Sequence, residues 1–266
     1  MVAAGDARLG PAEEGLPELA NPRSGVAEAY RSLATSLQFT TETGLPRTIV
    51  VTSAQATEGK SSTAIAVARH FAVTGKRVLI IDADLRRPSL HSKLGHDNAV
   101  GLTNCLTGMA TLHDVVQPTD IPNLWFLASG PLPPNAADIL GGTHVFSLIS
   151  VGLEMYDLII FDSPPMLGLA DAQLLAAAAS ATIFVVGAGD ARRGMLRGSL
   201  RRLQMARAMT IGLVLTKFDS RQSNYGYGYA YGYGGYEQDA AENQTKRSLL
   251  PSFTRREAKS NESEMV

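Results

Sequence analysis

The chain of 266 residues is poor in cysteine and in tryptophan, with one of each, and its net charge is close to nil, −1 from 24 Lys and Arg against 25 Asp and Glu. A lone Cys105 excludes an internal disulfide and fits a reducing compartment; in its apolar surroundings, Leu102 to Leu106, it reads as a packed thiol. The balanced charge removes any bulk electrostatic pull toward nucleic acid or an anionic membrane. Long apolar runs are also missing. The longest uncharged one, Leu174 to Gly189, falls short of the roughly 20 residues that span a bilayer and is divided by Ser180 and Thr182. It reads as an Ala-rich helix followed by a buried strand, so membrane association is expected through a partner, without direct insertion. Asp6, Arg8, Glu13, Glu14 and Glu18 interrupt the first twenty residues, which leaves no signal-peptide core and makes secretion unexpected. The five histidines lack companion cysteines and any HExxH spacing, so a zinc site is not expected. What is present, 45% hydrophobic and 18% charged residues, suits one globular domain with a sizeable core.

Residues 1–22 are rich in Ala, Gly, Pro and Glu without periodicity and read as a flexible leader. A helix is predicted from Val26 to Phe39, where Val26, Tyr30, Leu33 and Leu37 recur at spacings of three and four behind Ser24 as N-cap. After Pro46 short β-branched runs alternate with helical patterns. Strands are expected at Thr48–Thr52, Val78–Asp82, Leu124–Leu127, Leu158–Asp162, Ala181–Val186 and Ile211–Leu215, with a helix from Ser61 to about Thr74. Apolar on both faces, these runs describe buried parallel strands. The fold class is therefore α/β, a doubly wound, mostly parallel sheet with helices on both faces and ligands at the carboxyl ends of its strands. The domain is expected over residues 23–220, followed by a tyrosine cluster at 221–236 and a polar, disordered tail at 237–266 to which no function is assigned.

The first strand runs into Ala54-Gln55-Ala56-Thr57-Glu58-Gly59-Lys60-Ser61-Ser62, which keeps the Gly-Lys-Ser of a P-loop ahead of a helix, with Ala54 in place of the usual first glycine. Gly59 lets the backbone wrap a phosphate, helix-start amides point at it, Lys60 adds positive charge near the β and γ phosphates, and the Ser61 hydroxyl suits magnesium. Residues Thr57 to Ser62 are the candidate nucleotide cradle. Two strands end in carboxylates: Val78–Asp82 carries Asp82 and Asp84, and Leu158–Asp162 ends in Asp162 as a Walker B strand does. The three are expected to converge on Lys60 and Ser61, one as a base and the others holding magnesium. Aspartates are also common caps and turn formers after strands, the bland alternative for each taken singly.

Asn224 to Tyr236 holds six of the eight tyrosines: Tyr225, Tyr227, Tyr229, Tyr231, Tyr233 and Tyr236. Interleaved glycine disfavours helix or packed strand, and such a strip can enter an active site as an extended peptide. An adhesive low-complexity segment is an alternative; a base-stacking strip is disfavoured, because Arg221 is the one basic residue close by.

Taken in order, the Glu28-Ala29-Tyr30-Arg31-Ser32-Leu33 helix, the Glu58-Gly59-Lys60-Ser61 loop, Asp82-Ala83-Asp84-Leu85-Arg86-Arg87-Pro88, Gly130-Pro131-Leu132-Pro133-Pro134-Asn135, the Tyr156 to Pro165 strand with Asp171-Ala172 after it, and the tyrosine cluster resemble the bacterial tyrosine autokinases of capsule and exopolysaccharide synthesis. The resemblance, spanning about Glu28 to Tyr236, implies a P-loop kinase that uses ATP and Mg2+. By it Lys60 binds phosphates, Ser61, Asp84 and Asp162 organise magnesium, Asp82 is the base toward the tyrosine hydroxyl, and Lys60, Asp82 and Asp84 form the catalytic set. The six tail tyrosines are the implied phosphoacceptors, modified by a neighbouring subunit in a homo-oligomeric ring whose interface uses Glu28 and Arg31. The free-standing form of the family implies a cytoplasmic protein at the inner face of the membrane, activated by the cytoplasmic tail of a membrane-embedded polysaccharide co-polymerase, with no nucleic-acid partner.

Three positions depart from the family pattern. Ala34 stands where a third interface residue, an arginine, is usual, which predicts a weakened ring. Thr57 stands where glycine is common, so a positive φ there predicts lowered ATP affinity. Thr216 takes the place of an adenine-reading asparagine, leaving base selectivity open. The rival readings are a dimeric ATPase switch of the septum-positioning and partition type, whose signature lysine is Gln55 here, and a catalytically weak scaffold for the membrane partner.

Overall fold

The computed structural model describes residues 2–3, 19, 21, 23–42, 44–166, 168–189 and 192–218, and the account that follows concerns these. Eight strands form one sheet: β1 (Val2–Ala3), β2 (Thr48–Ser53), β3 (Val78–Asp82), β4 (Gln117–Pro118), β5 (Leu124–Leu127), β6 (Leu158–Asp162), β7 (Ala181–Gly187) and β8 (Thr210–Thr216), in the spatial order β1-β8-β7-β2-β6-β3-β5-β4. Every pairing is parallel except β4 with β5. The expected doubly wound topology is what forms, with β2 central and its neighbours β6 and β7 on either side.

Alternation along the strands divides the core between two faces. Ile49, Val51, Ile80 and Ile160 pack against α1 (Gly25–Leu37) and α2 (Lys60–Val73), where Tyr30, Leu33, Ile65 and Phe71 meet them. Leu90 of the short helix α3 (Leu90–Leu94) joins that first cluster, whereas on the other face Val50, Leu79, Ile81 and Ile159 receive α4 (Leu102–Leu106), α5 (Leu112–Val115), α6 (Ala136–Leu140), α7 (His144–Met155) and α8 (Asp171–Ala178). A smaller cluster joins Met166, Ala172, Phe184 and Leu203 beneath α9 (Arg193–Met205). Burying each such large side chain is worth about 1.5–3 kcal/mol, and the inner strands β2, β3 and β6 are buried along their whole length. Gly152 of α7 stands where a Cβ would come within 2.7 Å of Ile159 Cδ1, so glycine lets the helix close onto β6.

Helix α1 starts as expected, the Ala27 amide donating to Ser24 Oγ at 3.0 Å. It ends at Leu37, two residues early, and leaves Phe39 80% exposed. Its buried Tyr30 hydroxyl meets Thr63 Oγ1 at 3.1 Å, clamping α1 to the helix that follows the P-loop. Within the segment expected as a leader, Val2–Ala3 adds a parallel edge strand to β8, and Leu19 is buried in the first core. Ala34 is fully buried in that same core, whereas Glu28 and Arg31 pair with each other on the outer side of α1. Position 34 therefore packs inside the subunit. The tyrosine cluster and the polar tail lie outside the described residues.

Candidate nucleotide and phosphoryl-transfer site

Parallel strands with crossover helices point all their carboxyl ends to one edge, and β2, β6 and β3 are adjacent there. The chain leaves β2 at Ser53, turns through Ala54 to Gly59, and enters α2 at Lys60. Gly59 has φ +90°, the left-handed region, and a Cβ there would press on Thr216 Cγ2 at 3.2 Å. Glycine is needed on both counts. Thr57 also adopts a positive φ, +63°, the geometry foreseen as unfavourable for a β-branched residue. The first amides of α2 have no intrahelical acceptor and are suited to an anion, with the side chain of Lys60, mostly buried, beside them.

Contacts unforeseen in the sequence hold this loop in shape. Glu58, 1% exposed, turns inward: its Oε2 accepts from the Gln55 amide at 2.6 Å and its Oε1 from the Gly187 amide at 3.3 Å. Thr216 Oγ1 donates to the Glu58 carbonyl at 2.7 Å. So Thr216, considered for reading a base, braces the loop against β8, and Glu58 is a staple across the loop.

The carboxylates lie next door. Asp82 and Asp162 are register partners on β3 and β6, both buried. Asp82 Oδ2 accepts the Ser89 and Leu90 amides at 2.9 Å each, capping α3, and Oδ1 accepts the Asp84 amide at 3.3 Å. Burial first, then the neighbouring Asp162 charge, pushes Asp82 up to about 7 against the pull of those amides. Asp162 is pushed up to about 6 by burial, while Lys60 and the Ser61 hydroxyl hold it down. Asp84 lies nearer the surface; its Oδ1 accepts the Arg86 and Arg87 amides at 3.2 and 2.9 Å. Burial raises it, and Lys60 opposes that rise. The Lys60 charge thus acts on both Asp84 and Asp162, and Asp82 sits beside Asp162 in the sheet register.

The arrangement suits magnesium. Asp162 Oδ1 is buried without a hydrogen-bond partner, and the Ser61 hydroxyl adjoins the same carboxyl. Among the described residues no three His, Cys, Asp or Glu side chains form a metal cage. Magnesium is ordinarily held by one or two carboxylates, a hydroxyl, waters and phosphate oxygens, which is the donor set here.

One more pair frames the edge. Arg86 Nε and Nη2 donate to Asp171 Oδ2 and Oδ1 at 2.7 and 3.2 Å, and Asp171, at the start of α8, is fully buried. The fork ties the loop carrying Asp84 to the element after β6. Ser89, whose hydroxyl lies 3.4 Å from that of Ser61, belongs to the same edge. The Pro88-Ser89-Leu90 helix start was the visible signal for it. Glu58, Arg86 and Thr216 were named from the sequence, but their contacts with Gly187, Asp171 and the Glu58 carbonyl had no local signal, because those partners lie 85 to 158 residues along the chain.

Residues 46–197 match the model of the AAA domain family. Tyrosine-protein kinase YwqD of Bacillus subtilis is 35% identical over 209 residues, 78% of this chain and 88% of that protein. Among solved structures, the kinase domain of Escherichia coli tyrosine kinase ETK is 32% identical with a TM-score of 0.74, covering 82% of this chain and 85% of the other. The chimerical protein CapA2B2 is 27% identical, also with a TM-score of 0.74, over 78% of this chain and 92% of the other. A nucleotide edge of this build, on a chain so matched along most of its length, places the protein in the family of bacterial tyrosine-protein kinases, as an enzyme with a P-loop domain of the AAA type.

Proposed function

We propose that this kinase phosphorylates its own tail tyrosines, Tyr225, Tyr227, Tyr229, Tyr231, Tyr233 and Tyr236, in trans within a homo-oligomer, and that the cycle regulates capsule or exopolysaccharide polymerisation and export. The observation that carries the reading is the buried Asp82–Asp162 pair beside Lys60 and the P-loop, in a chain that also contains six clustered tyrosines. Residues Thr57 to Ser62 cradle the ATP phosphates, and Lys60 neutralises charge on the γ-phosphoryl group. Ser61, Asp84 and Asp162 would hold magnesium, which when bound supplies charge neutralisation across the β and γ phosphates. The tyrosine oxygen attacks the γ-phosphorus in line as the bond to the β–γ bridging oxygen breaks. The phenolic proton passes to Asp82, directly or through one water, leaving ADP and phosphotyrosine. A carboxyl poised near pH 7 is well matched to that task.

Glu28 and Arg31 are the proposed ring contacts. With Ala34 in place of the third charged residue of the family pattern, the ring is weak. The proposed partner is a membrane-embedded co-polymerase whose cytoplasmic tail activates the kinase and holds it peripherally at the inner face of the plasma membrane. The test incubates the full chain and Lys60→Met with magnesium and ATP, with and without that tail, and maps phosphate by mass spectrometry. Phosphate on Tyr225 to Tyr236 in the parent and not in the variant is expected. ATP hydrolysis without any phosphotyrosine would overturn the reading in favour of an ATPase switch.

A further inference from the structure

Helix α9 lies between β7 and β8 and takes no part in the nucleotide edge described above. Between Ala191 and Phe218 the chain holds six arginines, one lysine and no acid, although the whole protein is at −1. The charges are not spread evenly around the helix. Arg193, Arg197, Arg201 and Met205 follow one another at intervals of four, forming a single ridge, and all four are exposed. The opposite face is anchored: Ser199 and Leu203 are fully buried, and Leu196 and Leu200 pack against the cluster around Phe184. The ridge is therefore fixed facing outward.

Standing alone, this pattern is unfavourable. Like charges four residues apart on a helix repel one another. The first turn has no acidic residue, and Arg192 and Arg193 meet the positive end of the helix dipole there. An anionic surface laid along the ridge would relieve both. Its arginine part is about 12 Å long at 1.5 Å per residue, and it continues into Met205, 75% exposed, at the end of the helix; Met209, in the turn that follows, is 52% exposed.

We propose that the Arg193, Arg197, Arg201 and Met205 ridge of α9 docks on the anionic headgroups of a lipid bilayer. A row of guanidinium groups suits phosphate oxygens, and flexible apolar side chains at its end suit the acyl boundary beneath the headgroups. Exposed methionines add nothing against a nucleic-acid backbone, and no aromatic residue for base stacking occurs from Arg192 to Lys217. That no helix among the described residues is long and apolar enough to cross a membrane does not bear on such a contact, because surface docking needs charge and a few apolar side chains. The site is independent of the partner tail and adds a second, direct hold on the membrane.

The test uses the dephosphorylated full chain and sedimentation with phosphatidylcholine vesicles, with or without about 30% phosphatidylglycerol, at low and at raised salt. Binding is expected only with phosphatidylglycerol and should weaken as salt rises. Replacing Arg193, Arg197 and Arg201 together by glutamine should weaken it by about a hundredfold, at roughly a tenfold loss for every 1.4 kcal/mol and about 1 kcal/mol for each basic residue near the surface. Met205→Ser with Met209→Ser should weaken it further without changing the salt dependence. Both variants should keep the parent's ATP-dependent phosphotransfer, which shows that they fold. Equal binding to both vesicle types, full retention by the triple glutamine variant, or a preference for duplex DNA that the methionine changes leave untouched would overturn the proposal.

Discussion

Thr57 holds a φ of +63°, a left-handed conformation that costs a β-branched residue about 1–2 kcal/mol. Thr57→Gly is expected to raise Tm by a few degrees, and the lowered ATP affinity expected from the sequence predicts a tighter ATP Kd in the same variant, by differential scanning fluorimetry and isothermal titration calorimetry. An unchanged Tm together with an unchanged Kd would contradict this. Asp82 and Asp162 make a second prediction. Their folded-state values of about 7 and about 6 exceed the ordinary carboxyl value, so the folded chain holds protons that the unfolded chain has released. Stability of the nucleotide-free protein should therefore fall as pH rises from about 4 to about 7, and Asp82→Asn should flatten that slope. An unchanged slope in the variant would sink the assignment. Magnesium-ATP affinity should rise over the same window, because magnesium needs the ionised carboxylates. Lys60, Asp82 and Asp162 were legible in the sequence because each ends a recognisable strand or starts a helix. The inward turn of Glu58 and the Thr216 brace were not, since nothing local in the chain records a contact 158 residues away.

Among the elements, those apolar on both faces were read almost residue for residue. β3, β5 and β6 match their predicted spans, β2 and β7 run one residue further at the carboxyl end, and β8 one residue further at each end, because burial on two sides leaves only short β-branched runs between turn residues. Helices α3 to α6, with four or five residues each, are too short to show a 3.6-residue period and were missed. The edge strand Val2–Ala3 was missed for a similar reason: two residues carry no pattern. The connection between elements that matters most for the site is the fork from Arg86, in the loop after β3, to buried Asp171 at the start of α8. Arg86→Ala leaves a buried carboxylate unpaired and should cost about 2–3 kcal/mol, below the range for a fully buried pair because the guanidinium side is partly exposed. Urea denaturation checks it, and Arg86→Met with Asp171→Leu should recover most of the loss. If Arg86→Ala costs less than about 0.5 kcal/mol, the fork does not secure the loop.

Across the whole molecule, near-neutral charge makes phosphorylation a large perturbation. Each phosphotyrosine adds roughly −1.5 to −2, so four of the six tail sites would add about −6 to −8. Strips so charged repel one another and the acidic strand ends, and they oppose any ring held by Glu28 and Arg31. Light scattering should find a larger assembly before phosphorylation than after it; an unchanged assembly would contradict the release step. The central claim, transfer between subunits onto the tail, has a more direct test. Lys60→Met chains with intact tyrosines are mixed with chains that keep Lys60 but carry phenylalanine at all six tail positions, in magnesium and ATP, with the activating tail present, and the two are separated by mass. Phosphate on Tyr225 to Tyr236 of the Lys60→Met chain is the predicted result. Phosphorylation of the parent alone, with none in the mixture, would contradict transfer in trans.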